Sequence, residues 1–310
     1  MSCWINEEEV RRLLGLEELE AAMERALASC SSGSVTQPLR LVIEAADGLL
    51  AAMPALNRDD GQMGAKLVSV YPGNAARGLP SHQAVIVLFD AGTGEALAAM
   101  DGRYITEMRT AAVSTVSLKW LGPEFVKVLA LVGSGVQARS HLEMLRRGRS
   151  FDEIRCWSPR RESRERFARE HQGVRACESA EEAVRGADAI VVATQAREPV
   201  LRAGWVKEGA HVMAVGACRP NERELDPELV ASAELYVDSR ESALRESGDV
   251  ILAMREGWFG EDHIRAELGE VIAGIKPGRG GENRATVFKS LGLACEDLGA
   301  AGLVWAARGT

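Results

Sequence analysis

Two rhythms of apolar and polar residues divide the chain near Leu121-Gly122-Pro123. Before that point short apolar stretches are separated by turn residues, at Pro72-Gly73-Asn74 and Gly92-Thr93-Gly94. Runs bounded in this way predict strands, here Leu39–Glu44, Gly48–Met53, Ala65–Val70 and Ala84–Asp90. Asn6 followed by Glu9 has the spacing of a capping box and predicts a helical region to about Cys30, closed by Ser31-Ser32-Gly33. Ala111–Trp120 predicts another helix. This first part is α+β, with antiparallel strands.

After Pro123 the apolar runs become continuous. Val126–Val132 has the pattern of a strand buried on both faces. A glycine turn follows, then a helix (Gln137–Arg147), a strand (Glu153–Trp157), a very basic helix (Arg161–His171) and a short strand (Val174–Cys177). A helix over Ala180–Arg185 and strands at Ala189–Ala193, His211–Val215 and Leu235–Asp238 continue the series. Strands alternating with helices predict βαβ units and a parallel sheet. The last stretch, Thr286–Thr310, has the pattern of a single helix.

Composition narrows the class. The chain has 310 residues, 46% hydrophobic and 26% charged, which suits one large or two ordinary globular domains. A net charge of −8 gives nucleic acid no reason to bind. Basic residues cluster at Arg146–Arg149 and Arg160–Arg169, either as solvated helix faces or as phosphate-binding groups. No apolar run approaches the roughly 20 residues of a membrane span, and the N-terminal residues lack the pattern of a signal peptide. The six cysteines and five histidines are scattered without metal-ligand spacing. A reducing, cytoplasmic setting and no metal are therefore expected.

Gly133-Ser134-Gly135-Val136-Gln137-Ala138 stands directly between a buried strand and a helix, the context in which a glycine loop marks a Rossmann-type dinucleotide site. Gly133 permits the tight turn, Gly135 lets a pyrophosphate approach the backbone, and Ala138 lets helix and strand pack closely. The helix start at Val136 and Gln137 offers free N–H groups to phosphate. The second strand ends in Trp157-Ser158-Pro159-Arg160-Arg161, where NAD enzymes place a carboxylate for the ribose 2′-hydroxyl. Ser158, Arg160 and Arg161 suit a 2′-phosphate instead, so NADPH is expected, with NADH as the alternative. Thr194 and Gln195, and then Val215 and Ala217, follow two further strands at the ends where ligands bind in open α/β sheets. Arg109 and Thr110, just before the crossover between the two parts, are candidates for the cofactor's phosphates.

Several segments resemble one family in order along nearly the whole chain. They are Gln37-Pro38-Leu39-Arg40, Met53-Pro54, Lys66, Pro80-Ser81-His82-Gln83, Asp101-Gly102, Arg109-Thr110-Ala111-Ala112 and the glycine loop. Gly216-Ala217-Cys218-Arg219-Pro220, Arg223-Glu224-Leu225-Asp226 and Val287-Phe288-Lys289-Ser290-Leu291-Gly292 continue them. Together they resemble the ornithine cyclodeaminase/mu-crystallin family. The resemblance implies a homodimer. It also implies a substrate-binding and dimerisation domain of residues 1–120 plus 286–310, with a Rossmann domain of residues 121–285 inserted. It places Ser81, His82 and Ser290 at the cofactor, and Arg40, Lys66 and Arg109 at a substrate carboxylate, as the catalytic set.

Ornithine cyclodeaminases, as the resemblance has it, carry a catalytic Asp in a Gly-Asp-x-Pro-type segment and a Glu three residues before the Met-Pro proline. The matching positions here are Cys218 and Ala51. Cyclodeamination needs a base at that place. The missing carboxylates favour the reductase branch, in which NADPH reduces a cyclic ketimine carboxylate such as piperideine- or pyrroline-2-carboxylate to the cyclic L-amino acid. An ornithine cyclodeaminase-type or alanine-dehydrogenase-type enzyme stays open, as does an NADPH-regulated thyroid-hormone-binding or crystallin protein. His82 as a proton donor, and Lys66 as the group that protonates or polarises the imine nitrogen, are further expectations.

Overall fold

The computed structural model describes residues 3–281 and 283–309. The chain forms two compact units, Met1–Ala112 with Gly292–Thr310, and Val113–Leu291. In the first, β1 (Trp4–Ile5) leads to α1 (Glu7–Leu13) and α2 (Leu16–Ser31). Asn6 caps α1 as its spacing predicts: its side chain accepts from the Glu9 N–H at 3.0 Å, while the Glu9 carboxylate accepts from the Asn6 N–H at 3.1 Å. The single helical region expected to Cys30 is two helices, because Leu14 and Gly15 take extended backbone between them.

β2 (Val35–Thr36), β3 (Leu41–Ala45), β4 (Gly48–Asn57), β5 (Gln62–Val70), β6 (His82–Asp90) and β7 (Ala96–Asp101) follow. The sheet runs β1-β7-β6-β5-β4-β2, with β3 paired on β4. All its pairings are antiparallel except β1 with β7. Next comes α3 (Arg103–Leu121), which begins two turns before the predicted Ala111. The Asp101 carboxylate accepts from the Arg103 N–H at 2.9 Å and fixes that start. The polar opening of the helix had hidden its period.

The second unit is the predicted alternation of strand and helix. Its elements are β8 (Val128–Val132), α4 (Val136–Gly148), β9 (Glu153–Trp157), α5 (Arg161–Glu170), β10 (Val174–Ala176), α6 (Ala180–Val184), β11 (Ala189–Val192) and β12 (His211–Ala214). Then come α7 (Pro227–Ser232), β13 (Glu234–Val237), α8 (Arg240–Glu246), α9 (Gly248–Arg255), β14 (Ile264–Glu267), α10 (Leu268–Ile272) and β15 (Thr286–Lys289). All eight strands are parallel, in the order β10-β9-β8-β11-β12-β15-β13-β14. A fully parallel sheet is covered on both faces, which explains why β8, β11 and β12 are apolar at nearly every position.

Two buried histidines brace this unit. His141 on α4 contacts the Ser114 hydroxyl at 2.9 Å and the Gln137 carbonyl at 2.7 Å. His211 on β12 contacts Ser117 at 3.0 Å and Thr286 at 2.7 Å. Burial holds both imidazoles neutral, His141 down to about 4 and His211 to about 3.

The final stretch corrects the expectation of one helix. Thr286–Lys289 is the strand β15, hydrogen-bonded between β12 and β13, and only Ala294–Arg308 forms the helix α11. Four buried residues show no period of their own, so their strand character comes from the sheet around them. α11 returns to the first unit and packs on α2, β4, β5 and β6. Among the described residues no helix is long and apolar enough to cross a membrane.

Candidate active site

In the second unit the glycine loop follows β8. Gly133 adopts φ +122°, and a Cβ there would lie 2.3 Å from the Ala193 carbonyl oxygen. Only glycine avoids that clash. A Cβ on Gly135 would meet nothing within 4 Å, so the space in front of the α4 N-terminus is open. No side chain caps that terminus, which leaves its N–H groups for an anion. Ala138, 1% exposed, belongs to the same buried core cluster as Leu131 of β8. A dinucleotide pyrophosphate fits this cradle: it is bare, open and positive.

The end of β9 is tied to the loop. Ser134 donates to the Ser158 hydroxyl at 2.8 Å, and the Gly133 N–H donates to the Trp157 carbonyl at 2.7 Å. Arg160 is exposed at the N-cap of α5, without a side-chain cap bond. Arg161 is exposed too, but its guanidinium pairs with Glu165 at 2.6 Å along α5. Arg164, which sequence reasoning passed over, is buried and bonds the Ser158 carbonyl at 3.3 Å.

Thr194 and Gln195 follow β11, and Val215 and Ala217 follow β12. Gln195 is exposed, whereas Val215 and Ala217 are buried. Ser290 follows β15 but is 2% exposed, and its hydroxyl donates to Asp238 at 3.1 Å. Cys218, where the resemblance puts the cyclodeaminase aspartate, has its thiol on the Val215 carbonyl at 3.6 Å and lies within electrostatic reach of the buried Lys289 ammonium.

In the first unit the strand alternation places a cation in the core. Along β5, Gly64, Lys66 and Val68 share the buried face, while Leu67 points the other way and is exposed. Lys66 is 2% exposed and pairs with Asp297 of α11 at 2.5 Å. Arg109 lies inside α3, just ahead of the boundary between the two units at Ala112, and its guanidinium bonds Asp297 at 2.9 Å and Glu296 at 2.6 Å. Thr110 beside it turns its hydroxyl to the Thr106 carbonyl at 2.8 Å. Arg40 donates to the Gly292 carbonyl at 3.1 Å. Gly292 sits at φ +82°, where a Cβ would fall 2.5 Å from the Arg109 guanidinium. The chain bends there around the arginine.

Arg40, Lys66, Arg109 and His82 thus form one electrostatic group. Burial pulls the Lys66 ammonium down to about 8, against the opposing pull of Asp297, and the Arg109 and Arg40 charges add to the fall. His82 opens β6 and has its imidazole held below the usual range by desolvation and then by Lys66. Ser81 precedes it, its carbonyl accepting from Tyr71 N–H at 2.8 Å. Lys66 is therefore an acid poised near neutrality in a cluster of buried cations and carboxylates, suited to a carboxylate and to a basic nitrogen.

Glu296 and Asp297 were missed by sequence reasoning. Two adjacent carboxylates in the otherwise apolar first turns of α11 were the available signal, since buried anions require partners. Their place in the first turn also sets them on the positive end of the helix dipole. Ala51, where the resemblance puts the other cyclodeaminase carboxylate, is 3% exposed on β4 opposite Val68.

A parallel Rossmann-type sheet with its glycine cradle, joined in one chain to a mixed sheet that buries a cation cluster, defines a two-unit α/β protein of the dehydrogenase kind. The model of the ornithine cyclodeaminase/mu-crystallin family matches residues 4–308, and the chain belongs to that family. It is 50% identical over 289 residues to the ketimine reductase mu-crystallin of Rattus norvegicus, covering 91% of this chain and 90% of that one. It is also similar to the structure of Thermococcus litoralis Delta(1)-pyrroline-2-carboxylate reductase in complex with NADH and L-proline. That match has a TM-score of 0.95 and 39% identity, over 98% of this chain and 97% of that one. An archaeal alanine dehydrogenase dimer with bound NAD gives a TM-score of 0.93 at 36% identity, over 98% and 95% of the two chains.

Proposed function

We propose that the protein reduces cyclic ketimine carboxylates to cyclic L-amino acids with NADPH, NADH serving as the alternative cofactor. The observation that carries this reading is the buried Lys66, poised near pH 8 between Asp297 and two arginines. A reductase of a C=N bond needs a proton for nitrogen and a cation for the neighbouring carboxylate, and this cluster has both. When bound, the nicotinamide supplies the hydride that goes to the imine carbon. The chain's own residues do the rest. Arg40 and Arg109 hold the substrate carboxylate, Lys66 gives its proton to the imine nitrogen, and Asp297 keeps Lys66 charged and aimed. The Gly133–Gln137 loop holds the pyrophosphate, while Ser158 and Arg160 receive the 2′-phosphate. Arg161, engaged by Glu165, contributes charge at that edge.

Family relatives support this branch over cyclodeamination, as do Ala51 and Cys218 in place of carboxylates. The rat relative is named a ketimine reductase and the Thermococcus protein a pyrroline-2-carboxylate reductase. A homodimer is part of the proposal. On the sheet face opposite Lys66, Leu41, Ile43, Leu50 and Leu67 are exposed on paired strands, an apolar patch suited to a second copy. The free state of all six thiols suits a cytoplasmic setting. The test is NADPH consumption against a panel of cyclic ketimine acids, with ornithine and with pyruvate plus ammonia as controls. Imine reduction is expected; ornithine turnover without it overturns the reading.

A further inference from the structure

Beneath the loops that follow β11 and β12 lies a buried acidic group to which the chemistry above gives no role. Glu224 is fully buried, and its carboxylate receives four donors. Oε1 accepts from the Thr194 N–H and hydroxyl, both at 2.8 Å. Oε2 accepts from the Gly216 N–H at 2.7 Å and the Ala217 N–H at 2.8 Å. One carboxylate thus ties the β11 loop to the β12 loop. The fit leaves no slack: a Cβ on Gly216 would lie 2.3 Å from Glu224 and 2.2 Å from the Thr194 carbonyl.

Glu224 is itself held. Asp249, at the start of α9, accepts from the Glu224 and Leu225 N–H groups at 2.8 and 2.9 Å. Lys289 of β15 lies 3.0 Å from Asp249 and 4.0 Å from Glu224, 0% exposed. Its ammonium offsets part of the cost of burying two anions. Lys289 is the last residue of β15, and its pairing with these carboxylates explains why a lysine closes a fully buried strand.

Sheet order says which part of a ligand these loops meet. The glycine loop follows β8, and the group that reads the ribose 2′ position follows β9 on one side. A dinucleotide whose pyrophosphate lies at β8 and whose adenosine lies toward β9 must extend the other way, over β11 and β12. We propose that Glu224 is the positioning residue for the nicotinamide half of the dinucleotide site, fixing the Thr194–Gln195 and Val215–Ala217 loops from below, with Asp249 and Lys289 holding it there. The proposal rests on the assignment of a nicotinamide dinucleotide to this unit.

Glutamine is isosteric at position 224 but has one acceptor oxygen and turns an NH2 toward backbone donors. The full-length Glu224→Gln protein is titrated with NADPH by fluorescence and with adenosine 2′,5′-bisphosphate by calorimetry. The second probe carries the adenosine half alone. The expected result is a loss of NADPH affinity of about tenfold or more, with adenosine 2′,5′-bisphosphate binding unchanged, and a lower kcat for imine reduction. Glu224→Asp, which keeps the charge, regains part of the loss. Equal loss of both ligands, or wild-type behaviour with both, overturns the proposal. Should Glu224→Gln fail to fold, Thr194→Val deletes one of the four donors and must show the same split in smaller measure; no split overturns it. A wild-type protein that binds neither NADPH nor NADH refutes the cofactor assignment, a result distinct from any outcome in the variants.

Discussion

Asp297 offers the sharpest test of the proposed proton donor. It lies 2.5 Å from the Lys66 Nζ and 2.9 Å from the Arg109 Nε, with its carboxylate 0% exposed. Asparagine keeps the shape and removes the negative charge. The anion favours the ammonium form of Lys66, so its loss lowers the lysine's pKa from the present value of about 8. An opposite charge at this range shifts a neighbour by roughly 1–3 pH units, each worth about 1.4 kcal/mol. If Lys66 must be protonated to deliver its proton, activity falls on the alkaline side of that pKa, about tenfold per pH unit.

In the wild type the fall is centred near pH 8. In Asp297→Asn it moves to lower pH by one unit or more. For a shift of one to two units the protonated fraction at pH 8 drops about 5- to 50-fold relative to wild type. The assay is the pH profile of kcat/KM from pH 6 to 10, followed by NADPH oxidation on a cyclic imine carboxylate. The substrate's own titration is common to both proteins, so the displacement between them is the measure. Coincident profiles refute the argument. So does an alkaline limb that moves to higher pH, because removing an anion cannot stabilise an ammonium.

Lys66→Met tests the same residue from two sides. Turnover falls far more than NADPH affinity; equal losses sink its catalytic role. Lys66 bound below its ordinary 10.5 means the unfolded chain takes up more protons between pH 8 and 10.5, so wild-type stability rises across that window by about 3 kcal/mol. Urea unfolding of Lys66→Met lacks that rise. His141 and His211 have the opposite range: held at about 4 and 3, they stay neutral while unfolded histidines charge below 6.5. Stability is full above pH 6.5 and falls by about 3 kcal/mol per histidine toward pH 4; His211→Asn flattens that slope by one proton. Arg160→Ala weakens NADPH by roughly tenfold to a hundredfold and leaves NADH nearly unchanged, read by direct titration; equal affinity losses refute the 2′-phosphate assignment. Leu67→Glu puts a charge on the exposed apolar face, and sedimentation shows the assembly shifted to monomer.

The parallel sheet was legible because its strands are buried on both faces. Apolar runs such as Val126–Val132 mark such strands without any partner being known. Glu153–Trp157, alternately buried, was bounded correctly for a different reason, lying between a helix end and a basic helix start. β15 was illegible: four residues before a long helix carry no period, and only the gap between β12 and β13 makes them a strand. Two-unit connectivity follows from that strand and α11, which the sequence pattern runs together as a single helix.

The candidate site was half legible, and the division follows charge. Lys66, Arg40 and Arg109 were picked out through the family resemblance together with their small and apolar surroundings, and the structure groups them. Their counter-ions did not, although the same logic applies to them. A buried cation in a low-dielectric core must have an anion within a few ångströms, or it gives up its proton. Lys66 keeps a pKa as high as about 8 only because Asp297 is there. Glu296, Asp297, Glu224 and Asp249 are all buried beside a cation or a set of N–H donors. The carboxylates an acid-binding site lacks on its surface are thus found one layer beneath. At that depth they set the charge state of Lys66, and in the other unit they set the shape of two loops. Exchanging one for its amide should therefore alter pH dependence or ligand choice before it alters the fold.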